Sequence, residues 1–215
     1  MDQGQRRDVL RQAEDELRRA VNEHGWRSPQ ADAARQRQRA LERSTAAEMG
    51  LPYAEPADLG VPWDAGAPMP VLISGLRTFV AFYLRIDDPL PFDGTNPSAW
   101  DPRPEIGVVE FKRVASVKKG SPNDEVLHGH PLWGSGLEFY RAHEVRNSPW
   151  IKELTDVNRI HGGFDESRWN RVRHFVLTFH DETVECVAQE AVARTEPPAA
   201  TMPQVVISLS NQAVG

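Results

Sequence analysis

RHFVLTFHDETVECVA, residues 173–188, alternates apolar and polar side chains on either side of a short acidic break. Phe175, Leu177 and Phe179 fall on one face of a strand, and Val184, Cys186 and Ala188 fall on the same face of its return. A turn centred on Asp181 and Glu182 sets Phe179 opposite Val184 and Leu177 opposite Cys186, which predicts an antiparallel hairpin with one wholly apolar side. Asp-Glu is not the Asn-Gly pair of a tight type I′ turn, and a longer loop is compatible with the same pairing. The other side of the hairpin is polar: His174, Thr178 and His180 on the first strand, Thr183, Glu185 and Gln189 on the second.

Upstream of the hairpin, NSPWIKELTDV repeats the start signal of a short helix, with Ser148 as cap and Pro149 at the first helical position. LEFYRAHEV, residues 137–145, reads as a strand, and IGVVEFKRVASV, residues 106–117, as another, bent one. RTFVAFYLRI, residues 77–86, is apolar on both parities, which predicts a central strand covered on both faces. The intervening DDPLPFDGTNPSAWDPRPE holds five prolines and is read as irregular. Residues 51–75 show no sustained period and form an irregular connection. Two helices precede it. In the first, residues 5–24, Leu10, Ala13, Leu17, Ala20 and Val21 make one stripe, and Gly25 stops the helix. In the second, within residues 26–50, Ser28 and Pro29 open the helix, Gly50 ends it, and the stripe is mostly alanine. Downstream of the hairpin, EPPAATMP is a linker and QVVISLS a last strand or an ordered tail.

Strands grouped without alternating helices point to an α+β fold with a mainly antiparallel sheet, an N-terminal helical hairpin and a short helix between strands. The expected organisation is a helical extension over 1–50, the connection 51–75, a core domain over 76–195, and the linker with its C-terminal strand or tail over 196–215.

Composition narrows the function. The chain of 215 residues is 40% hydrophobic, with six Trp and eight Phe, enough for one sizeable core. Its formal net charge of −6 gives no general reason to approach a phosphate backbone, so nucleic acid is not an expected partner. Cys186 is the single cysteine, which excludes an intrachain disulfide and a four-thiolate zinc site. The first twenty residues lack the apolar region of a secretory signal, and no stretch approaches the roughly 20 apolar residues of a membrane span. A cytoplasmic protein without a membrane partner is expected. The expected partner is another protein or a small molecule, with the N-terminal helices available for a homo-oligomer contact.

HGHPLWGSGLEFYRAH, residues 128–143, concentrates the residues that carry chemistry. With the polar side of the hairpin it supplies Trp133, Tyr140, His143, Trp150, His174, Thr178 and Glu185 as candidate ligand-binding residues, aromatic walls with histidines to orient polar groups; Phe139 and Trp169 extend the walls. The alternative is a divalent transition metal held by imidazoles and carboxylates. The order His-x-His, Glu, distant His, carried by His128, His130, Glu138 and His180, resembles that of the cupins, a β-barrel family that commonly binds metals. The resemblance implies a metal-dependent enzyme in which His128, His130 and His180 are ligands and Glu138 or Glu185 completes the shell or acts as a base. Glu138 stands eight residues after His130, a longer step than that pattern has, and Pro131 and Gly134 interrupt the strand between them. Against both readings stands an exposed loop beside the solvated face of a sheet. Cys186 falls on the apolar face, where burial makes a thiol inert, and Ser135 lacks the strand-turn-helix setting of a nucleophile elbow. Lys112, Arg113, Lys118 and Lys119 read as a solvated strand edge. No catalytic motif is identifiable, and the leading expectation is a binding protein with a His/Trp-rich pocket or surface.

Overall fold

The computed structural model describes residues 3–64, 69–85 and 105–215. The proline-rich loop expected over 87–105 lies, but for Glu105, outside the described residues. The fold is α+β, with an N-terminal helical pair, two antiparallel sheets and a short helix between strands.

The chain divides into two compact units. The smaller comprises residues 1–55, 131–137 and 145–148. Its helices are α1 (Gln3–His24) and α2 (Pro29–Glu48). The Ser28 hydroxyl accepts from the Ala31 amide at 3.1 Å, the cap that the sequence announces. Buried Ala31, Ala34 and Ala46 let α2 approach its neighbour closely, and Arg6–Glu48 and Arg37–Glu16 ion pairs tie it to α1.

The larger unit comprises residues 56–130, 138–144 and 149–215. The strands of the described residues are β1 (Tyr53–Pro56), β2 (Val71–Ser74), β3 (Thr78–Tyr83), β4 (Ile106–Lys112), β5 (Ser116–Gly120), β6 (Ala142–Arg146), β7 (Arg173–Thr178), β8 (Thr183–Ala188) and β9 (Glu190–Thr195), with residues 53–55 of β1 and 145–146 of β6 in the smaller unit. One sheet has the order β1-β6-β7-β8-β5 and the other β2-β3-β4-β9. In the larger unit their facing sides form a core. Val80 and Phe82 of β3 and Val109 and Phe111 of β4 pack with Phe175 and Leu177 of β7 and Val184 and Cys186 of β8. The opposite side of β3 and β4, with Phe79, Ala81 and Val108, packs against Val205, Leu209 and Ala213. β3 is therefore covered on both faces, as its two apolar parities require.

Several local expectations are corrected. QVVISLS is part of a helix, α5 (Met202–Val214), not a strand or tail. Its apolar residues alternate for a few positions, but Val205, Leu209 and Ala213 recur every four, and Gln204 Oε1 accepts from the Thr201 amide at 3.0 Å in a capping box. Residues 106–117 are two strands in different sheets, because the chain changes sheet at Arg113–Ala115. The strand expected from 137 begins at Ala142, the connection 51–75 contains β1 and β2, and β9 follows β8 after the single residue Gln189.

The hairpin keeps its predicted faces in a different register. Leu177 pairs with Val184 and Phe175 with Cys186, so Thr178 faces Thr183 and Glu185 faces Val176. The turn is His180–Asp181, closed by the Phe179 amide donating to Glu182 O at 3.0 Å. A shift of two residues leaves every side chain on its original face, which is why the apolar pattern alone does not distinguish the registers.

Candidate functional site

The polar face of the hairpin is not solvated. His174, Thr178, Thr183 and Glu185 are all buried, covered from the side of α3 (Pro149–Asn158) and of the 3-10 turn Asp124–Gly129. Glu185 is the hub of this layer. Lys118, opposite it on β5, places Nζ 2.8 Å from Oε1, and His174 Nε2 lies 2.9 Å from Oε2. His130 Nε2 lies 3.6 Å from Oε1. Burial opposes the charge on Glu185, but the approach of His130, the hydrogen bonds from His174 and Lys118, and the Lys118 charge outweigh it and hold the carboxyl well below its ordinary range. Trp150, at the start of α3, sets its ring edge-on to His174 at 5.2 Å and lies 4.7 Å beneath Lys118 Nζ.

A second network sits at the turn of the hairpin. The Tyr140 hydroxyl donates to Asp124 Oδ2, and His180 Nδ1 donates to the same oxygen at 2.6 Å. Burial and the bond to Asp124 push the Tyr140 phenol up to about 12. Burial works to raise Asp124, yet the bonds from Tyr140 and His180 and the His180 charge hold it below its ordinary value. The bond to Asp124 and its charge raise His180.

The remaining predicted residues are placed separately. His143 is fully buried, and its Nε2 accepts from the Glu138 amide at 3.1 Å. The Thr178 hydroxyl donates to Glu138 O at 2.9 Å and accepts from the Arg141 amide at 3.2 Å. Trp133 belongs to the smaller unit, where the Arg39 guanidinium lies 4.5 Å over its ring and Arg39 pairs with Glu42. The four residues of the metal reading do not converge. His128 is exposed on the 3-10 turn, His130 joins Glu185, the Glu138 carboxylate accepts from Arg141 at 3.0 Å, and His180 joins Asp124. Among the described residues no group of three or more His, Cys, Asp or Glu side chains is arranged to hold a metal ion.

An open cavity lies elsewhere in the larger unit. It measures about 570 Å³, within the range of small-molecule sites. One wall is the sheet-changing corner Arg113–Ala115. The other is the segment after α3: Asn158, His161, Gly163, Phe164, Asp165, Arg168, Trp169 and Val172. Phe164 and Trp169 stand nearly parallel, 16° apart with centroids at 6.4 Å. Asp165 caps the four-residue helix α4 (Glu166–Trp169), accepting from the Ser167 amide at 2.9 Å and its hydroxyl at 2.7 Å. The bond from the Ser167 side chain leads the effects that hold Asp165 below its ordinary value. Arg113 occupies the left-handed region at φ +54°, unusual for a residue with a long side chain. Its guanidinium donates to Gln189 Oε1 at 3.1 Å, and Gln189 Nε2 reaches the Arg168 carbonyl at 3.5 Å. Gln189 thus bridges the two walls from the point where β8 leaves one sheet for β9 in the other.

Of these lining residues, Trp169 is among the expected aromatic walls; Arg113 is expected only as part of a solvated edge, and His161, Phe164 and Arg168 are not singled out by any motif. Asp165 stands three residues before Arg168, the spacing of an ordinary helical ion pair, so the sequence conceals that the carboxylate is engaged by Ser167. Comparison of the chain with known protein families, with characterised proteins and with solved structures finds no match in any of the three. No helix among the described residues is long and apolar enough to cross a membrane.

Proposed function

We propose that this protein is a binding protein for a small organic molecule, taken up in the corner cavity between Arg113–Ala115 and the segment 158–172. The observation that carries the reading is the cavity itself: about 570 Å³, with a near-parallel Phe164–Trp169 pair and hydrogen-bonding groups around it. The strained backbone at Arg113 adds support, since such conformations gather at ligand clamps. The histidine networks around Glu185 and Asp124 act in this reading as the frame that fixes α3 and the hairpin, their side chains engaged with one another.

The test is an unbiased small-molecule library screened by thermal shift, followed by amide chemical-shift mapping of each binder. A ligand at a hundred times its Kd stabilises the protein by about 2.7 kcal/mol, roughly 5–10 °C for a chain of this size. The expected result is a binder whose shift perturbations centre on residues 113–115 and 158–172 and whose affinity falls in Trp169→Leu. Binders that perturb other surfaces and are indifferent to Trp169→Leu, or no binder at all, would refute the proposal.

A further inference from the structure

We infer that the ligand of the corner cavity is a planar organic anion, an aromatic ring bearing an oxyanion group, with Arg113 and Arg168 holding the anion and the Phe164–Trp169 pair the ring. The inference rests on the cavity being the binding site and adds the chemical class of what it binds.

The first ground is the pairing of arginines. In the larger unit Arg77, Arg141, Arg159, Arg173 and Arg194 each lie against a carboxylate. Among the described residues of that unit, Arg113, Arg168 and Arg171 have no carboxylate within ion-pair distance, and of these Arg113 and Arg168 line the cavity. Arg113 is held by a neutral amide, which orients the guanidinium without neutralising it. Arg168 makes no side-chain hydrogen bond or ion pair among the described residues. A planar guanidinium fork matches the geometry of carboxylate and phosphate oxygens, so two such forks left without an internal acid suit an external one.

The second ground is the balance of charge. The chain carries a formal net charge of −6, so its general field repels anions. The lining reverses that sign locally, with two guanidiniums against the single carboxylate of Asp165, which is turned to Ser167. His161 supplies a further donor. Its Nδ1 accepts from the Gly163 amide at 3.0 Å, so the neutral imidazole carries its proton on Nε2.

The third ground is how the two arginines are placed. Both are tied to Gln189, Arg113 through its side chain and Arg168 through its carbonyl. One residue at the sheet crossover therefore fixes the spacing of the two cationic segments. Holding Arg113 at φ +54° costs backbone energy that Gly or Asn would reduce, and an anion-binding role for the side chain accounts for an arginine there.

The experiment is isothermal titration calorimetry of the full chain with three probes of one shape: 2-naphthoate, 2-naphthyl phosphate and the uncharged 2-naphthamide. At least one anion is expected to bind on the order of tenfold or more tighter than the amide. Arg113→Gln and Arg168→Gln are each expected to lose on the order of tenfold for the anion and to leave the amide unchanged. Trp169→Leu is expected to weaken anion and amide alike. Comparing the carboxylate with the phosphate assigns the oxyanion. Equal binding of amide and anion, or anion binding indifferent to both arginine variants, overturns the class while leaving the cavity as a site for neutral ligands. Failure of both anions to bind overturns it as well. A library that also yields no cavity binder removes the underlying reading. Unchanged thermal unfolding of the exposed-arginine variants separates lost binding from lost folding.

Discussion

Replacing Glu185 by Gln tests whether the polar layer over the hairpin is a buried charged network. Glu185 is only 9% exposed, and its carboxylate faces Lys118 Nζ at 2.8 Å, His174 Nε2 at 2.9 Å and His130 Nε2 at 3.6 Å. Glutamine keeps the volume, removes the charge and turns an NH2 group toward donors. One charge-assisted hydrogen bond lost is worth about 1.5–3 kcal/mol, and breaking a buried pair costs about 3–5 kcal/mol. The Lys118 side chain is 57% exposed and recovers water when released, which moves the expectation to the lower end, about 3 kcal/mol. For a chain of this length that is a fall in Tm of roughly 6–12 °C at pH 7. The sign with pH follows from the direction of the shift. A carboxyl held below its ordinary value stabilises the fold above an unfolded pKa of about 4.3, and that contribution fades as pH falls toward the folded value. The gap between Glu185→Gln and the native protein is therefore widest at pH 7 and narrows between pH 5 and 3. Urea unfolding at pH 7, 5 and 3.5 measures it. A gap under about 1 kcal/mol at pH 7, or one that stays constant down to pH 3.5, would refute the reasoning.

The Asp124–His180 pair has the opposite sign. His180 is raised above 6.5, so the stability it contributes is present below that pH and is lost as pH rises through the folded value; in an NMR titration Asp124→Asn is expected to return His180 toward 6.5. Burial raises the Cys186 thiol, and the side chain is fully enclosed, so 5,5′-dithiobis(2-nitrobenzoate) is expected to label native protein negligibly at pH 8 and unfolded protein at one thiol per chain; rapid native labelling would contradict the packing. In the smaller unit Gly136 sits at φ +93°, where an added Cβ would lie 2.5 Å from the Ala54 carbonyl oxygen. Gly136→Ala is expected to destabilise that unit by about 2 kcal/mol or more, since the backbone penalty alone is about 1–2 kcal/mol, read as a lower Tm.

How far the sequence discloses this architecture depends on whether a pattern is local. Ser28 and Pro29 announce α2 because a cap needs only neighbours in the chain, and the two apolar parities of β3 announce coverage on both faces before the covering elements are known. The hairpin gives its faces but not its register, because period two is unchanged by a shift of two residues. α5 is misread because I-S-L-S alternates over 207–210 while the four-residue recurrence that fixes it extends to Ala213. The sheet change at Arg113–Ala115 has no local signature at all, since strand propensity continues through both sides of it.

The same reasoning explains why the histidines draw attention and the cavity does not. His130, His174 and Glu185 are conspicuous by residue type, yet residue type cannot tell whether polar groups satisfy one another or await a ligand. In this fold they satisfy one another: one carboxylate receives two imidazoles and an ammonium, and a buried layer of that kind holds α3 through Trp150. Arg113 and Arg168 are ordinary in a chain with this many arginines. They become informative only when the structure shows which arginines have found acids, and that depends on Asp165 accepting from the Ser167 amide and hydroxyl instead of pairing with its neighbour three residues on. The two sheet crossovers, at Arg113 and at Gln189, then place both residues on the lining of one cavity by non-local packing. The residues that carry the proposed site are legible as chemistry only after the sandwich has been assembled, whereas the residues that frame it are legible from the start.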